Sequence, residues 1–198
     1  MPGMSTAPKM KLTPAEYLAI ERQAEFKSEY YRGEMFALAG ASRQHCFVKD
    51  NLAGELHQQL KGGPCRSLTS DMRLKVEPTG LYTYPDIAII CGKPEFEDNE
   101  ADTLLNPTVI AEVLSDSTEK YDRGTKFGHY RRIQSLHEYI LVSQRQPLVE
   151  RFVRQDDDSW NVTEFAGLDA TLEFASVPVK VALAEIYRGV EFPEPKLR

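Results

Sequence analysis

The chain has 198 residues, 41% hydrophobic and 27% charged, with a formal net charge of −6 at pH 7. That length and composition fit one globular domain with a core of ordinary size. The acidic balance excludes bulk attraction to nucleic-acid phosphates, so such a partner needs a local basic surface.

Residues 1–12, with Pro2, Gly3 and Pro8 and few large apolar groups, predict a frayed tail ahead of a single domain over 13–198. Thr13, Pro14 and Glu16 combine an N-cap, a proline at the first helical position and an acidic first turn, which start a helix to about Ala24. Glu29 to Leu38 reads as a hairpin turning at Arg32-Gly33, with Glu34 on the face of Phe36 and Leu38. Ser42 caps a second helix through about Leu60, whose apolar stripe is Val48, Leu52, Leu56 and Leu60; His45 lies on that stripe.

Gly62, Gly63 and Pro64 end that helix, and strands are predicted at Cys65–Thr69 and Asp71–Val76. Two apolar runs follow, Tyr84 to Cys91 and Thr108 to Leu114, linked by an acidic, proline-bounded connection over 92–107. Being apolar on both faces, they belong in the middle of a sheet covered on both sides. A third helix over about Glu119 to Gln134 and a strand at Glu138 to Ser143 make a crossover unit with parallel strands. Leu148 to Val153, Trp160 to Phe165 and an apolar segment from Val179 to Tyr187 complete an α/β mixed sheet with antiparallel hairpin extensions.

No apolar run reaches the roughly 18 residues that span a bilayer, and the first residues lack the apolar centre of a secretory signal. Cys46, Cys65 and Cys91 are odd in number and widely spaced, which argues against a disulfide framework or a zinc site and for a reducing cytoplasm.

Each central run is interrupted by one carboxylate, Asp86 in the first and Glu112 in the second. Burying a carboxylate costs several kcal/mol, roughly, unless a counter-charge or metal compensates it. On adjacent strands the two would meet. With a main-chain carbonyl such as that of Val113 they form an oxygen-rich half-shell suited to Mg²⁺ or Mn²⁺, which waters and a substrate phosphate would complete. Glu34 is a candidate extension of that shell from the hairpin, or a rim salt bridge. On the third helix Asp122, Lys126, Tyr130 and Ile133 share one stripe. An inward Lys126 beside a metal-bound phosphate suits orientation or deprotonation of the attacking water, or stabilisation of charge on phosphorus, with Asp122 orienting it. Lys120, Arg123, Arg131 and Arg132 on or beside the same helix give a basic surface for a nucleic-acid backbone. His45 is read as a core histidine or a substrate contact, and Tyr121, Phe127 and Tyr130 as core.

Tyr84-Pro85-Asp86, Glu112-Val113-Leu114-Ser115, Asp122 and Lys126 ahead of Tyr130, and Glu138-Tyr139-Ile140-Leu141-Val142 together resemble the Uma-type restriction endonuclease family of the PD-(D/E)xK nuclease superfamily. The resemblance takes in Gly33-Glu34 and His45 and covers roughly residues 13–155. It implies a restriction-endonuclease-like core, metal ligation by Asp86 and Glu112, DNA as substrate, 5′-phosphate and 3′-hydroxyl products, and a homodimer. The superfamily pattern sets a lysine two residues after the acid, where this chain has Leu114; the Uma-type family supplies it from the following helix, which matches Lys126. The second reading is a catalytically silent binding protein that keeps the fold with its carboxylates salt-bridged.

Overall fold

The computed structural model describes residues 11–192. The expectation of a frayed tail therefore lies, for residues 1–10, outside the described residues. Leu12 does not fray: its N–H donates to the Gly33 carbonyl and its own carbonyl accepts the Tyr30 hydroxyl.

The expected α/β architecture, mixed sheets flanked by helices, is present. Helix α1 (Pro14–Glu21) opens on a full capping box between Thr13 and Glu16 and stops three residues short of the predicted end. Strands β1 (Ser28–Tyr31) and β2 (Glu34–Ala37) form the expected hairpin. Arg32 and Gly33 both have positive φ (51° and 90°), the two-residue turn whose twist matches the strands. Helix α2 (Arg43–Leu60), capped by Ser42, buries the predicted stripe of Val48, Leu52, Leu56 and Leu60. Each such leucine contributes on the order of 1.5–3 kcal/mol by leaving water.

The remaining strands are β3 (Cys65–Thr69), β4 (Arg73–Val76), β5 (Leu81–Thr83), β6 (Ile87–Cys91), β7 (Thr103–Leu104), β8 (Val109–Leu114), β9 (Glu138–Ser143), β10 (Leu148–Arg154), β11 (Trp160–Ala166), β12 (Thr171–Glu173) and β13 (Lys180–Ala182). They make a six-stranded sheet ordered β11-β10-β9-β8-β6-β3, a five-stranded sheet ordered β2-β1-β5-β4-β7, and the pair β12-β13. As expected, β8 and β9 are parallel and β6 and β8 are adjacent.

The predicted Tyr84–Cys91 strand is shorter than expected. The chain leaves the five-stranded sheet at Thr83, crosses through Tyr84-Pro85-Asp86 and enters the six-stranded sheet at Ile87. The acidic connection over 92–107 is also not a free excursion: β7 within it pairs in parallel with β4, while Asp98 and Asp102 pair with Arg22, and Glu97 pairs with Lys75.

One face of the six-stranded sheet packs Ile87, Ile89, Val109, Val113 and Ile140 against α2 and α5 (Leu183–Ile186). The other packs Ala88, Ile90, Ile110, Leu114 and Leu141 against Leu74, Val76 and Leu81 of the five-stranded sheet and against Tyr130. Period two carries Asp86 and Glu112 onto this second face, between the sheets.

The third helix differs most from expectation. It runs as α3 (Glu119–Tyr121), a π-helical turn over Asp122–Lys126 and α4 (Phe127–Tyr130), and ends there. Gly124 and Gly128 each weaken a helix interior by about 1 kcal/mol, so tertiary contacts set its path. The Arg154 guanidinium accepts the role of cap, donating to the carbonyls of Arg131 and Ile133 beyond its end.

The cysteine expectation is overturned. Cys65 and Cys91 are directly opposite in the β3–β6 register and form a disulfide, leaving Cys46 free. Their sequence separation of 26 hides a cross-strand contact that only the pairing reveals. Among the described residues no helix is long and apolar enough to cross a membrane.

Candidate active site

The antiparallel β6–β8 register pairs Ile87 with Ala111, so the next position sets Asp86 against Glu112. The geometry is interlocked: the Asp86 N–H donates to Glu112 Oε2 at 3.2 Å, and the Val113 N–H donates to Asp86 Oδ2 at 2.8 Å. His45, on the first turn of α2, has Nε2 3.0 Å from Asp86 Oδ1. The cap places it there, since its own N–H donates to Ser42 Oγ. His45 is therefore a wall of the site and not a core histidine.

Glu112 is 3% exposed and Lys126 is 6% exposed. Lys126 Nζ lies 2.8 Å from Glu112 Oε1, 3.6 Å from Asp122 Oδ1 and 3.8 Å from Glu29 Oε1. The Tyr130 hydroxyl donates to the same Glu112 oxygen at 2.8 Å. The π turn keeps Asp122 and Lys126 on the inward side that the helical stripe predicted, and such turns recur at functional sites. Burial pushes the Glu112 carboxyl above the usual range while Lys126 opposes it. Burial also works against the Lys126 charge, but Glu112, Asp122 and Glu29 more than offset it and hold the ammonium well above its ordinary value. Burial raises the Asp122 carboxyl as well, against Lys126.

Two residues at the site were not singled out from sequence. Glu29 on β1 accepts the Thr83 hydroxyl on Oε1 and the Tyr121 hydroxyl on Oε2, the latter at 3.1 Å. Tyr121, expected in the core, lines the cleft instead. Glu34, the predicted ligand from the same hairpin, is exposed on the edge strand β2 and does not line the cleft. Its register partner is Tyr31, and Glu29 stands one strand further in.

These groups sit at the floor of an open cleft of about 1320 Å³, larger than the roughly 300–1,000 Å³ of a small-molecule pocket. Among its lining residues carboxylates outnumber cations. The cations at the rim are paired: Lys27 with Asp71, Lys49 with Asp50, and Arg145 with Asp116. The cations of the predicted basic surface do not line the cleft, although Asp116 borders both. Lys120 and Arg123 flank a separate shallow depression, Arg123 pairs with Glu119 and Glu150, and Arg131 is exposed beyond α4.

Among the described residues no three His, Cys, Asp or Glu side chains converge as a ready-made metal cage. Two facing carboxylates are what Mg²⁺ asks of a protein, because it keeps several waters and takes one or two carboxylates plus substrate phosphates. The donor set fits that group.

The family model Uma2, described as "Putative restriction endonuclease", matches residues 14–184. Two Synechocystis proteins described as uncharacterized are similar along most of their length. One, sll1609, is 40% identical over 168 residues, covering 85% of this chain and 95% of the relative. The other, slr1290, is 34% identical over 187 residues, covering 94% and 97%. The crystal structure of "a putative nuclease belonging to DUF820" from Anabaena variabilis shares the fold, with a TM-score of 0.71 at 16% identity over 89% of this chain and 97% of that one.

Proposed function

The chain belongs to the Uma2 family of restriction-endonuclease-like proteins, and from that premise we propose that it is a metal-dependent endonuclease that hydrolyses phosphodiester bonds of DNA. The observation that carries the proposal is the meeting of Asp86 and Glu112 across the β6–β8 pair with the Lys126 amine 2.8 Å from Glu112.

In this reading Asp86, Glu112 and the Val113 carbonyl hold Mg²⁺ or Mn²⁺. A divalent cation there supplies Lewis acidity toward a phosphate oxygen and offsets the acidity of the cleft. Asp86 is aimed by the Val113 N–H and by His45. Tyr130 and Lys126 orient Glu112, and Lys126 brings positive charge to the oxygens of the phosphorus under attack. The closed floor excludes bulk water from the ammonium, which strengthens its field. DNA as the nucleic acid and a homodimer as the assembly follow from the family resemblance.

A second reading has its own observation. The Glu112–Lys126 ion pair satisfies the buried carboxylate without a cation, as in a silent binding module that keeps the fold. Thermal unfolding with Mn²⁺ separates the two. The endonuclease is stabilised by Mn²⁺ and Asp86→Ala loses the shift; the silent module shows no shift in either. Cleavage of single-stranded, duplex and branched DNA by wild type, Glu112→Ala and Lys126→Ala then tests activity, and cleavage unchanged in Glu112→Ala would refute the assignment.

A further inference from the structure

Glu29 has no task in the reading above, yet it is among the most tightly held carboxylates of the site. It is 7% exposed, and both its oxygens accept hydroxyls from outside its own strand, Thr83 on β5 and Tyr121 on α3. That tethering leaves Oε1 3.8 Å from Lys126 Nζ, just outside hydrogen-bond reach.

Three acceptor positions of the Glu112 carboxylate are taken, and one on Oε2 is left. Oε1 accepts from Lys126 and Tyr130, and Oε2 accepts from the Asp86 main chain. A divalent cation on the remaining Oε2 position would repel the ammonium held on Oε1 of the same carboxylate, so a donor on Oε1 gives way. The main-chain N–H belongs to Asp86, which the Val113 N–H and His45 hold in place, and the Tyr130 ring is fully buried. Lys126, on a flexible four-carbon stem, is the donor able to move. A buried ammonium leaves one carboxylate only for another. Asp122, at 3.6 Å, rides on the same helical segment, whereas Glu29 is fixed on the facing sheet.

We propose that Glu29 is a positioning residue, a second station to which the Lys126 ammonium shifts when a divalent cation occupies Glu112. The shift frees Glu112 Oε1 and keeps the positive charge beside the cation, where a phosphate would meet both. The proposal rests on the metal reading above.

The test is Mn²⁺ binding by the metal-free protein, read by calorimetry and by the electron paramagnetic resonance of free Mn²⁺, without any cleavage assay. Wild type, Glu29→Gln, Lys126→Met and the double variant form a cycle. Glu29→Gln is expected to weaken Mn²⁺ about tenfold, the size seen when a partner behind a metal ligand is lost. In the Lys126→Met background the same change is expected to alter affinity less than about twofold, within the ordinary scatter of independent sites. Tyr121→Phe, which loosens Glu29 without touching its charge, is expected to act in the same direction and provides the readout should Glu29→Gln fail to fold. Equal weakening by Glu29→Gln in both backgrounds would show that only its charge or packing matters, and would overturn the proposal. Wild-type binding untouched by Glu29→Gln overturns this proposal alone, and a wild type that takes up no Mn²⁺ overturns it together with the metal reading.

Discussion

Replacing Lys126 by methionine keeps the apolar stem and deletes the charge, so it isolates what the ammonium does. At an effective dielectric constant of 20, the attraction to Glu112 at 2.8 Å is about 6 kcal/mol. The pairs with Asp122 at 3.6 Å and Glu29 at 3.8 Å add between about 4 and 5 kcal/mol each. Desolvation of the amine offsets much of this, and carboxylates left alone take up protons, which caps the loss. Removing one partner of a buried pair then costs about 3–5 kcal/mol. The assay is urea unfolding of wild type and Lys126→Met at neutral pH in the presence of a chelator. Mg²⁺ or Mn²⁺ at a hundred times its dissociation constant should return about 2.7 kcal/mol to the variant. A loss below about 1 kcal/mol, the size of an exposed ion pair, would refute the view that three carboxylates depend on this amine.

Other outcomes follow from the same contacts. Glu138 is fully buried and accepts the N–H groups of Ala175 and Ser176; Glu138→Gln should lose about 1–3 kcal/mol of unfolding free energy and speed amide exchange at those two positions. The Cys65–Cys91 disulfide closes a loop of 26 residues' separation, so Cys65→Ser/Cys91→Ser should lower stability by about 3–4 kcal/mol on chain entropy, and a reductant should destabilise wild type but leave that variant unchanged. Burial raises the phenols of Tyr17, Tyr82, Tyr84, Tyr121, Tyr130, Tyr139 and Tyr187. A group that holds its proton more tightly when folded contributes stability that is complete below the ordinary tyrosine pKa near 10. That stability drains as pH rises through the folded values. Phenolate absorbance should therefore lag behind free tyrosine and rise together with alkaline unfolding; early, independent titration of these phenols would contradict their burial.

The site's frame was legible because its charges break strong patterns. Asp86 and Glu112 interrupt runs that are otherwise apolar, and a period of two set them on matching faces before their pairing was known. Lys126 was legible from the helical stripe it shares with Asp122 and Tyr130, and the π turn preserved its direction even though it broke the helix. Glu29 was hidden by symmetry. The hairpin places Glu29 and Glu34 on one sheet face, and nothing in its ten residues tells which strand lies at the edge. That depends on the pairing of β1 with β5, a contact with residues more than fifty positions away. The disulfide and the pairing of the acidic 92–107 segment were hidden likewise, since both depend on strand partners distant in sequence. The basic helix face misled for a different reason. Its charges are real, but Arg123 is consumed by Glu119 and Glu150, and its cations do not line the cleft.

The most direct test of the account is the opening of covalently closed circular DNA, single-stranded and duplex, by wild type and by Glu112→Gln with Mg²⁺, with Mn²⁺ and with chelator. The account predicts circles opened by wild type only when a divalent cation is present, and a rate lower by about a hundredfold or more in Glu112→Gln, as when a group that acts on transition-state charge is removed. Circles opened as fast by Glu112→Gln as by wild type, or opened by neither under any cation, would contradict it.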